Sequence, residues 1–465
     1  MTVNSKETGV LNIAVIGAGP SGLTSAKNAL EQGHKVDVYE KGAALGGTWV
    51  YTDETGKDEY GVNIHSAMYE ELRTNSPYQV MEYPDHHFPN GTKSYPRQKD
   101  VLDYLNSYAD RFDLKKHIRF HHLVEEVVSL KDDKWKVTVR DMQNKKTNSE
   151  VYDVVFVCIK IYSSPNYPQI EGASEFKGKI MHSHDFRKAE AFHGENVLVI
   201  GGGPSGIDLV IHLANTVNQI TLSICDQTAF GYESLRDEFG DIVSLEKEVT
   251  RLTPNGAKFE DGSQQDFSVI IYATVKISYE VHMGPWSPQR TEIGYNYVYP
   301  FLGADTGIRV EDNYVQSLYK QIINIEHPTM AFVGLPTFAV NNRMFDLQAR
   351  LALKFISGAK PLPSKADMLK DTKKYVESLR RKGISQRKLH VILPDDQKQY
   401  WRGIEETADI QSFPESLLDM FTEALNCLVN DPVGFRKNKY TIIDDKTFVK
   451  EREEKKPIEK GLESE

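Results

Sequence analysis

Residues 11–40 read LNIAVIGAGPSGLTSAKNALEQGHKVDVYE, and their pattern decides the fold. Leu11 to Ile16 is a short apolar run of the kind that forms a strand buried on both faces. It stops at Gly17-Ala18-Gly19-Pro20-Ser21-Gly22, after which the pattern is helical to about Gln32. Lys35 to Tyr39 reads as a second strand, ending at Glu40. Strand, glycine turn, helix and strand make one βαβ unit. In the turn, Gly17 allows a tight bend, Gly19 lets backbone approach a pyrophosphate, and Gly22 lets the helix pack closely. Pro20 and Ser21 open the helix, whose positive end receives the phosphate. Glu40 follows Gly22 by 18 residues, where a carboxylate accepts hydrogen bonds from a ribose hydroxyl.

The unit returns 184 residues later. Asn196 to Ile200 (NVLVI) leads into GGGPSG, a helix through about Ala214 and a strand near Gln219 to Ile224. Gly201, Gly203, Ser205 and Gly206 are its candidate phosphate contacts. Two further runs, Asp153 to Cys158 and Asp266 to Tyr272, are near-continuously apolar and read as buried parallel strands at two domain crossings. The fold class is therefore α/β, with two Rossmann-like dinucleotide-binding domains, the second inserted into the first. The expected boundaries are 1–163 with 300–465 for the first and 164–299 for the second. Helical stretches are expected at Phe345 to Ser357 and Lys365 to Lys382. Glu40 suits the free ribose hydroxyl of FAD. Beyond the second unit, Ser223-Ile224-Cys225-Asp226-Gln227 offers no cation for a 2′-phosphate, so NADPH and NADH both stay open.

The 465 residues carry 56 Lys and Arg against 66 Asp and Glu, a balance of −10. That argues against a nucleic-acid binder, whose footprint is a basic face. Forty per cent apolar residues, including 20 Phe and 23 Tyr, are ample for large cores. Cys158, Cys225 and Cys427 form no CxxC pair, which rules out a disulfide framework or a cysteine zinc site, and no metal is expected. A reducing, cytoplasmic location is the expectation. MTVNSKETGVLN lacks the regions of a secretory signal, and no apolar run reaches the roughly 18 residues that would span a bilayer. The last stretch, KTFVKEREEKKPIEKGLESE, is highly charged and reads as ending in a solvated tail.

Several segments, taken in order, resemble the flavin-containing monooxygenases over nearly the whole chain. Phe176-x-Gly178-x-x-x-His182-x-x-x-Phe186 looks like the family's identifying motif. Related Baeyer–Villiger enzymes place tryptophan where this chain has Phe186-Arg187. Gly46-Gly47-Thr48-Trp49 resembles the flavin-adjacent segment, and Leu72-Arg73-Thr74-Asn75-Ser76-Pro77 the segment whose asparagine lies beside the flavin ring. Phe345-Asp346-Leu347-Gln348-Ala349-Arg350 is similar to a segment that returns late to the flavin. MEYPDHHFP (81–89) and YSSPNYP (162–168) resemble insect members, some of which N-oxidise pyrrolizidine alkaloids. The resemblance implies an FAD- and NADPH-dependent monooxygenase of the N,N-dimethylaniline type, using O2 on a small-molecule amine or sulfide. Gly47, Thr48, Trp49, Thr74, Asn75 and Gln348 would contact the cofactor. Asn75 would be the catalytic amide, since an amide donates and accepts without acting as an acid. Self-association into a homo-oligomer is left open.

Four places depart from the family pattern. Ile159-Lys160-Ile161 stands where x-Gly-His is usual, and a lysine obstructs the backbone approach a glycine allows. Nineteen residues, Val275 to Ile293, separate Thr274 from Gly294 where the family string is continuous. They are either a surface loop, tolerated at modest entropic cost, or an unremoved non-coding stretch. The missing cation near Asp226 is the third departure, and Val340-Asn341-Asn342-Arg343 the fourth. Three functions stay open: an active monooxygenase, an impaired relative acting as a binding protein, and an NAD(P)H oxidase producing hydrogen peroxide.

Overall fold

A computed structural model describes residues 9–161, 164–225, 227–228, 230–273, 294–337, 341–392, 396–410 and 413–453. Its centre is a seven-stranded sheet in the order Leu318–Tyr319, Ile323–Asn324, Met330–Phe332, Val154–Val157, Asn12–Ile16, Lys35–Tyr39, Ile118–Arg119. Asn12–Ile16 pairs in parallel on both sides, Ile13 standing opposite both Val36 and Val154. Helix α1 (Pro20–Glu31) connects it to Lys35–Tyr39. All four residues of Val154–Val157 are buried, as a strand covered on both faces requires. Helices cover one face of this sheet. Across the other lies a three-stranded antiparallel sheet, His122–Ser129, Trp135–Asp141 and Lys146–Tyr152. Trp135 is buried in that layer, its indole N–H donating to Thr329 Oγ1 at 2.9 Å.

A second, five-stranded parallel sheet is built from the middle of the chain. Its order is Val243–Glu246, Gln219–Ser223, Asn196–Ile200, Val269–Tyr272, Lys179–His182. Helix α2 (Pro204–Leu213) follows its central strand as α1 follows Asn12–Ile16. The two glycine turns match in detail. Gly17 and Gly201 have φ of +102° and +116°, and Gly19 and Gly203 cap their helices at φ −75° and −72°. A Cβ on Gly22 would lie 1.8 Å from Gly17 O, and one on Gly206 would lie 1.8 Å from Gly201 O. The α/β class and the insertion of one Rossmann-like unit within another are thus as the sequence implies.

Element ends move by a few residues. The strand expected from Asp266 begins at Val269, because Gln264–Asp266 turns into a small antiparallel sheet. Helix α3 (Asn341–Ile356) starts earlier than Phe345 and absorbs Asn342 and Arg343. The charged end is less of a tail than its composition suggests: Phe448–Arg452 pairs antiparallel with Asn438–Ile442. The inserted segment 275–293 lies outside the described residues, and no helix among them is long and apolar enough to cross a membrane.

Gly22→Ala forces a methyl into the Gly17 carbonyl and should cost at least about 3 kcal/mol by urea unfolding, or prevent accumulation of folded protein. Gly403→Ala, inside the helix Gln397–Ala408 with open space around its Cβ position, should stabilise by about 0.5–1 kcal/mol. Equal stabilities for the two variants would contradict the close-approach reading.

Candidate cofactor and active site

The first glycine turn is closed by its neighbours. Gly17 N donates to Tyr39 O at 2.8 Å, joining the turn to the end of the second strand. One residue later Glu40 is buried, and its carboxylate accepts from Ala18 N at 2.9 Å and Gly42 N at 2.7 Å. A carboxylate offers about four lone-pair sites, so two bonds leave room for ribose hydroxyls. Gly46 N donates to Ala18 O at 2.9 Å, and Gly47–Trp49 forms a short turn against the loop. A Cβ on Gly47 would fall 2.9 Å from Gly19 Cα, so position 47 must lack a side chain for the approach. The site therefore brings together Gly17, Gly19, Pro20, Ser21, Gly22, Glu40, Gly47, Thr48 and Trp49. An open helix N-terminus beside a buried carboxylate fits the pyrophosphate and ribose of a dinucleotide.

Gln348 belongs to a layer behind this one. It lies on α3 and is fully buried, with Gly334 N donating to Oε1 and Nε2 donating to Tyr400 Oη, both at 2.8 Å. The segment does return to the first glycine unit, but through Asp346, which accepts from Thr24 and Asn28 of α1 at 3.2 and 2.9 Å. Lys160 extends over the Phe345 ring, 5.4 Å from its centroid, and burial lowers its ammonium pKa to about 8. Asn342 donates to Met81 O at 2.6 Å, so the fourth departure is packed into the helix bundle. Asp226 and Val340 lie outside the described residues.

In the second unit, Gly201, Gly203, Ser205 and Gly206 repeat the arrangement, with Ser205 exposed at the start of α2. The identifying motif packs beside it. His182 is fully buried against Tyr295 at 5.3 Å between ring centroids, and its Nδ1 accepts from His184 N at 3.0 Å. Burial, assisted by neighbouring His184, pushes its pKa down to about 4. Arg187 donates to the carbonyls of His184, Phe186, Ser66 and Glu54, tying residues 54–66 to the second sheet.

Asn75 stands where the two units meet. It is exposed, and its Oδ1 accepts from Arg436 Nη2 at 2.7 Å. The same guanidinium donates to Thr74 O at 3.2 Å, Arg73 O at 3.3 Å and Asp208 Oδ1 at 2.6 Å. Asp208 is a buried residue of α2, and Tyr69 donates its hydroxyl to the other carboxylate oxygen. Burial acts to raise the Asp208 carboxyl, but the Arg436 charge and His212 overrule it and hold the group well below the usual carboxylate range. Neither Asp208 nor Arg436 is marked by any local motif. The one local signal is that Asp208 lies two residues past Gly206, on the helix that follows the second glycine turn.

Residues 11–230 and 289–426 match the family described as FMO-like, flavin-binding monooxygenase-like. The chain is 33% identical over 449 residues to senecionine N-oxygenase of Tyria jacobaeae, spanning 96% of this chain and 93% of that protein. It is 31% identical over 446 residues to flavin-containing monooxygenase FMO GS-OX4 of Arabidopsis thaliana, spanning 91% and 90%. Among solved structures it superposes on S-allyl-L-cysteine S-oxygenase from Allium sativum with a TM-score of 0.83 at 26% identity, spanning 93% and 96%. The Tmm structure from Pelagibacter sp. gives 0.79 at 27%, spanning 92% and 93%. The chain belongs to the flavin-binding monooxygenase-like family, whose relatives include N- and S-oxygenases.

A buried neutral histidine makes stability depend on pH with a known sign. The folded pKa of His182, about 4, lies below its ordinary 6.5, so unfolded chain binds a proton that the native state refuses. The contribution of neutral His182 to stability is full above pH 6.5 and falls as pH drops toward 4. His182→Gln should flatten the slope of unfolding free energy by ~1 kcal/mol per pH unit near pH 5 in urea titrations. An unchanged slope would show that His182 is solvated.

Proposed function

We propose that the chain is an FAD- and NADPH-dependent monooxygenase of the N,N-dimethylaniline type. Its substrates are small molecules with a nucleophilic nitrogen or sulfur, and tertiary amines such as pyrrolizidine alkaloids are the first to test. Asn75 carries the reading: it is an exposed amide where the two units meet, held by Arg436, which also binds Asp208 of the second unit. The names of the relatives, an N-oxygenase and an S-oxygenase, agree with the substrate class. In this assignment residues 1–163 and 300–465 hold FAD and residues 164–299 hold NADPH.

When bound, the flavin and nicotinamide pair supplies the electrons that split O2, one atom going to the substrate and the other to water. The chain supplies position. Gly17, Gly19, Pro20, Ser21 and Gly22 present the start of α1 to the flavin nucleotide's pyrophosphate, and Glu40 takes its ribose. Gly201, Gly203, Ser205 and Gly206 do the same for the nicotinamide nucleotide. Gly47, Thr48, Trp49 and Thr74 wall the site, with Gln348 fixing the backbone behind it. Since Arg436 occupies Asn75 Oδ1, the group Asn75 offers a reacting oxygen is its Nδ2–H donor. No acid–base pair is required, because the substrate's own lone pair makes the new bond.

Purified protein should be yellow, and NADPH should bleach it and be consumed with an amine to give one N-oxide per NADPH. Asn75→Leu should keep FAD and lose the N-oxide by at least ~100-fold, with hydrogen peroxide in its place. An unchanged yield would remove Asn75 from the mechanism, and protein that neither holds flavin nor oxidises NADPH would sink the monooxygenase reading.

Lys160 favours a second reading, an impaired relative or an NAD(P)H oxidase. Its side chain lies over Phe345 where a glycine would leave space. If it obstructs the cofactor, Lys160→Gly should tighten FAD binding by about tenfold or more in fluorescence titrations. Equal affinity in the two chains would dispose of that reading.

A further inference from the structure

We propose that Asp208 and Arg436 form a positioning pair through which the second glycine-rich unit sets the orientation of the Asn75 amide. The proposal rests on the reading of Asn75 given above and adds two residues to it. Arg436 sits in the turn Phe435–Lys437, after the helix Glu415–Asn430, and is 228 residues from Asp208. Its planar fork contacts three things at once: the Asp208 carboxylate, the backbone carbonyls of Arg73 and Thr74, and Asn75 Oδ1.

A guanidinium has donors only, so the amide end that faces it must be the carbonyl. Rotating Asn75 by half a turn would set NH2 against N–H, which the charge forbids. Arg436 therefore selects the amide rotamer and leaves Nδ2–H outward. Asp208 in turn holds the fork. One oxygen takes Nη1 of Arg436 and the other takes the Tyr69 hydroxyl, whose ring packs edge-on at 5.3 Å against Phe186 and at 5.3 Å against His212. Asp208 belongs to α2, the helix whose N-terminus carries Gly203 and Ser205. The chain of contacts thus runs from the second glycine cradle to the Asn75 amide.

Docking of the C-terminal region against the second unit does not depend on this pair alone. Gly231 N also donates to Val429 O at 2.7 Å, and Val433 packs on the second core. Positioning and docking can therefore be separated by mutation. Asp208→Asn keeps the shape and removes the charge. Arg436→Lys keeps the charge, but one ammonium cannot reach Asp208, two carbonyls and Asn75 together.

The test is hydrogen–deuterium exchange on the full chain, paired with the ratio of oxygenated amine to NADPH consumed. Both variants should speed exchange in a peptide covering 69–76 by about tenfold, with the cores still protected. In both, oxygenated product per NADPH should fall by about tenfold as hydrogen peroxide rises, with FAD retained and KM for NADPH within about threefold of the parent. Exchange and coupling ratios equal to those of the parent chain in both variants would overturn the proposal. A parent chain that oxidises no NADPH would defeat the monooxygenase reading instead. The exchange comparison still decides the pair in that case: faster exchange at 69–76 supports it, and unchanged exchange rejects it.

Discussion

The contact on which the molecule depends is the one between a helix and the strand before it, where Gly22 and Gly206 lie so close to the carbonyls of Gly17 and Gly201 that no side chain fits. That closeness aims each helix N-terminus past the carboxyl end of its strand. In a parallel sheet this is also the place where neighbouring connections diverge and a crevice opens. The rest of the first site follows from it. Gly47 must be bare to lie against Gly19, Gly46 donates to Ala18, and Glu40 closes the loop from the other side. Loss of one of these glycines would disturb the whole cradle.

Both βαβ units were legible because their signals are local. A continuous apolar run, a glycine triplet and a helical pattern lie within about 30 residues of each other, and the structure returns them with ends moved by a residue or two. The antiparallel layer over the first sheet was not legible. Its strand Lys146–Tyr152 is exposed along most of its length, so it carries little apolar signal beyond Tyr152. Phe448–Arg452 was hidden for the same reason: four of its five residues are exposed, and backbone pairing rather than burial makes it a strand. The site divides in the same way. The glycines and Glu40 were readable from spacing. Arg436 and Asp208 were not, because their pairing is a product of tertiary topology across 228 residues.

The resemblance points to segments, and the structure shows which of their atoms meet the first unit. The late segment 345–350 does come back to the first unit, yet Gln348 points its amide at Gly334 and Tyr400. Asp346 is the residue that meets α1. On a helix, neighbouring positions face different directions, so Asp346 meets the side of α1 while Gln348 holds Gly334, whose Cβ position lies 3.3 Å from Ser21. At Lys160 a long cationic side chain follows the strand Val154–Val157, and the strand keeps its pairing on both sides.

The character of the seam also bears on what the domains can do. Each core is apolar, and Tyr69 and Val433 pack on the second one, but the side chains that bond across the seam are polar or charged: Arg187 on the carbonyls of Glu54 and Ser66, Arg436 on Asp208, and Tyr69 on Asp208. Polar interfaces between domains ordinarily permit relative motion. A buried ion pair contributes little net stability, since desolvation offsets attraction, but it is strongly directional and costly to leave half-made. An apolar contact of the same size would tolerate a shift of an ångström with little penalty. The Asp208–Arg436 pair would not, because a small displacement strands a buried charge. The least tolerant contact of the seam is therefore made by the same guanidinium that holds the Asn75 amide.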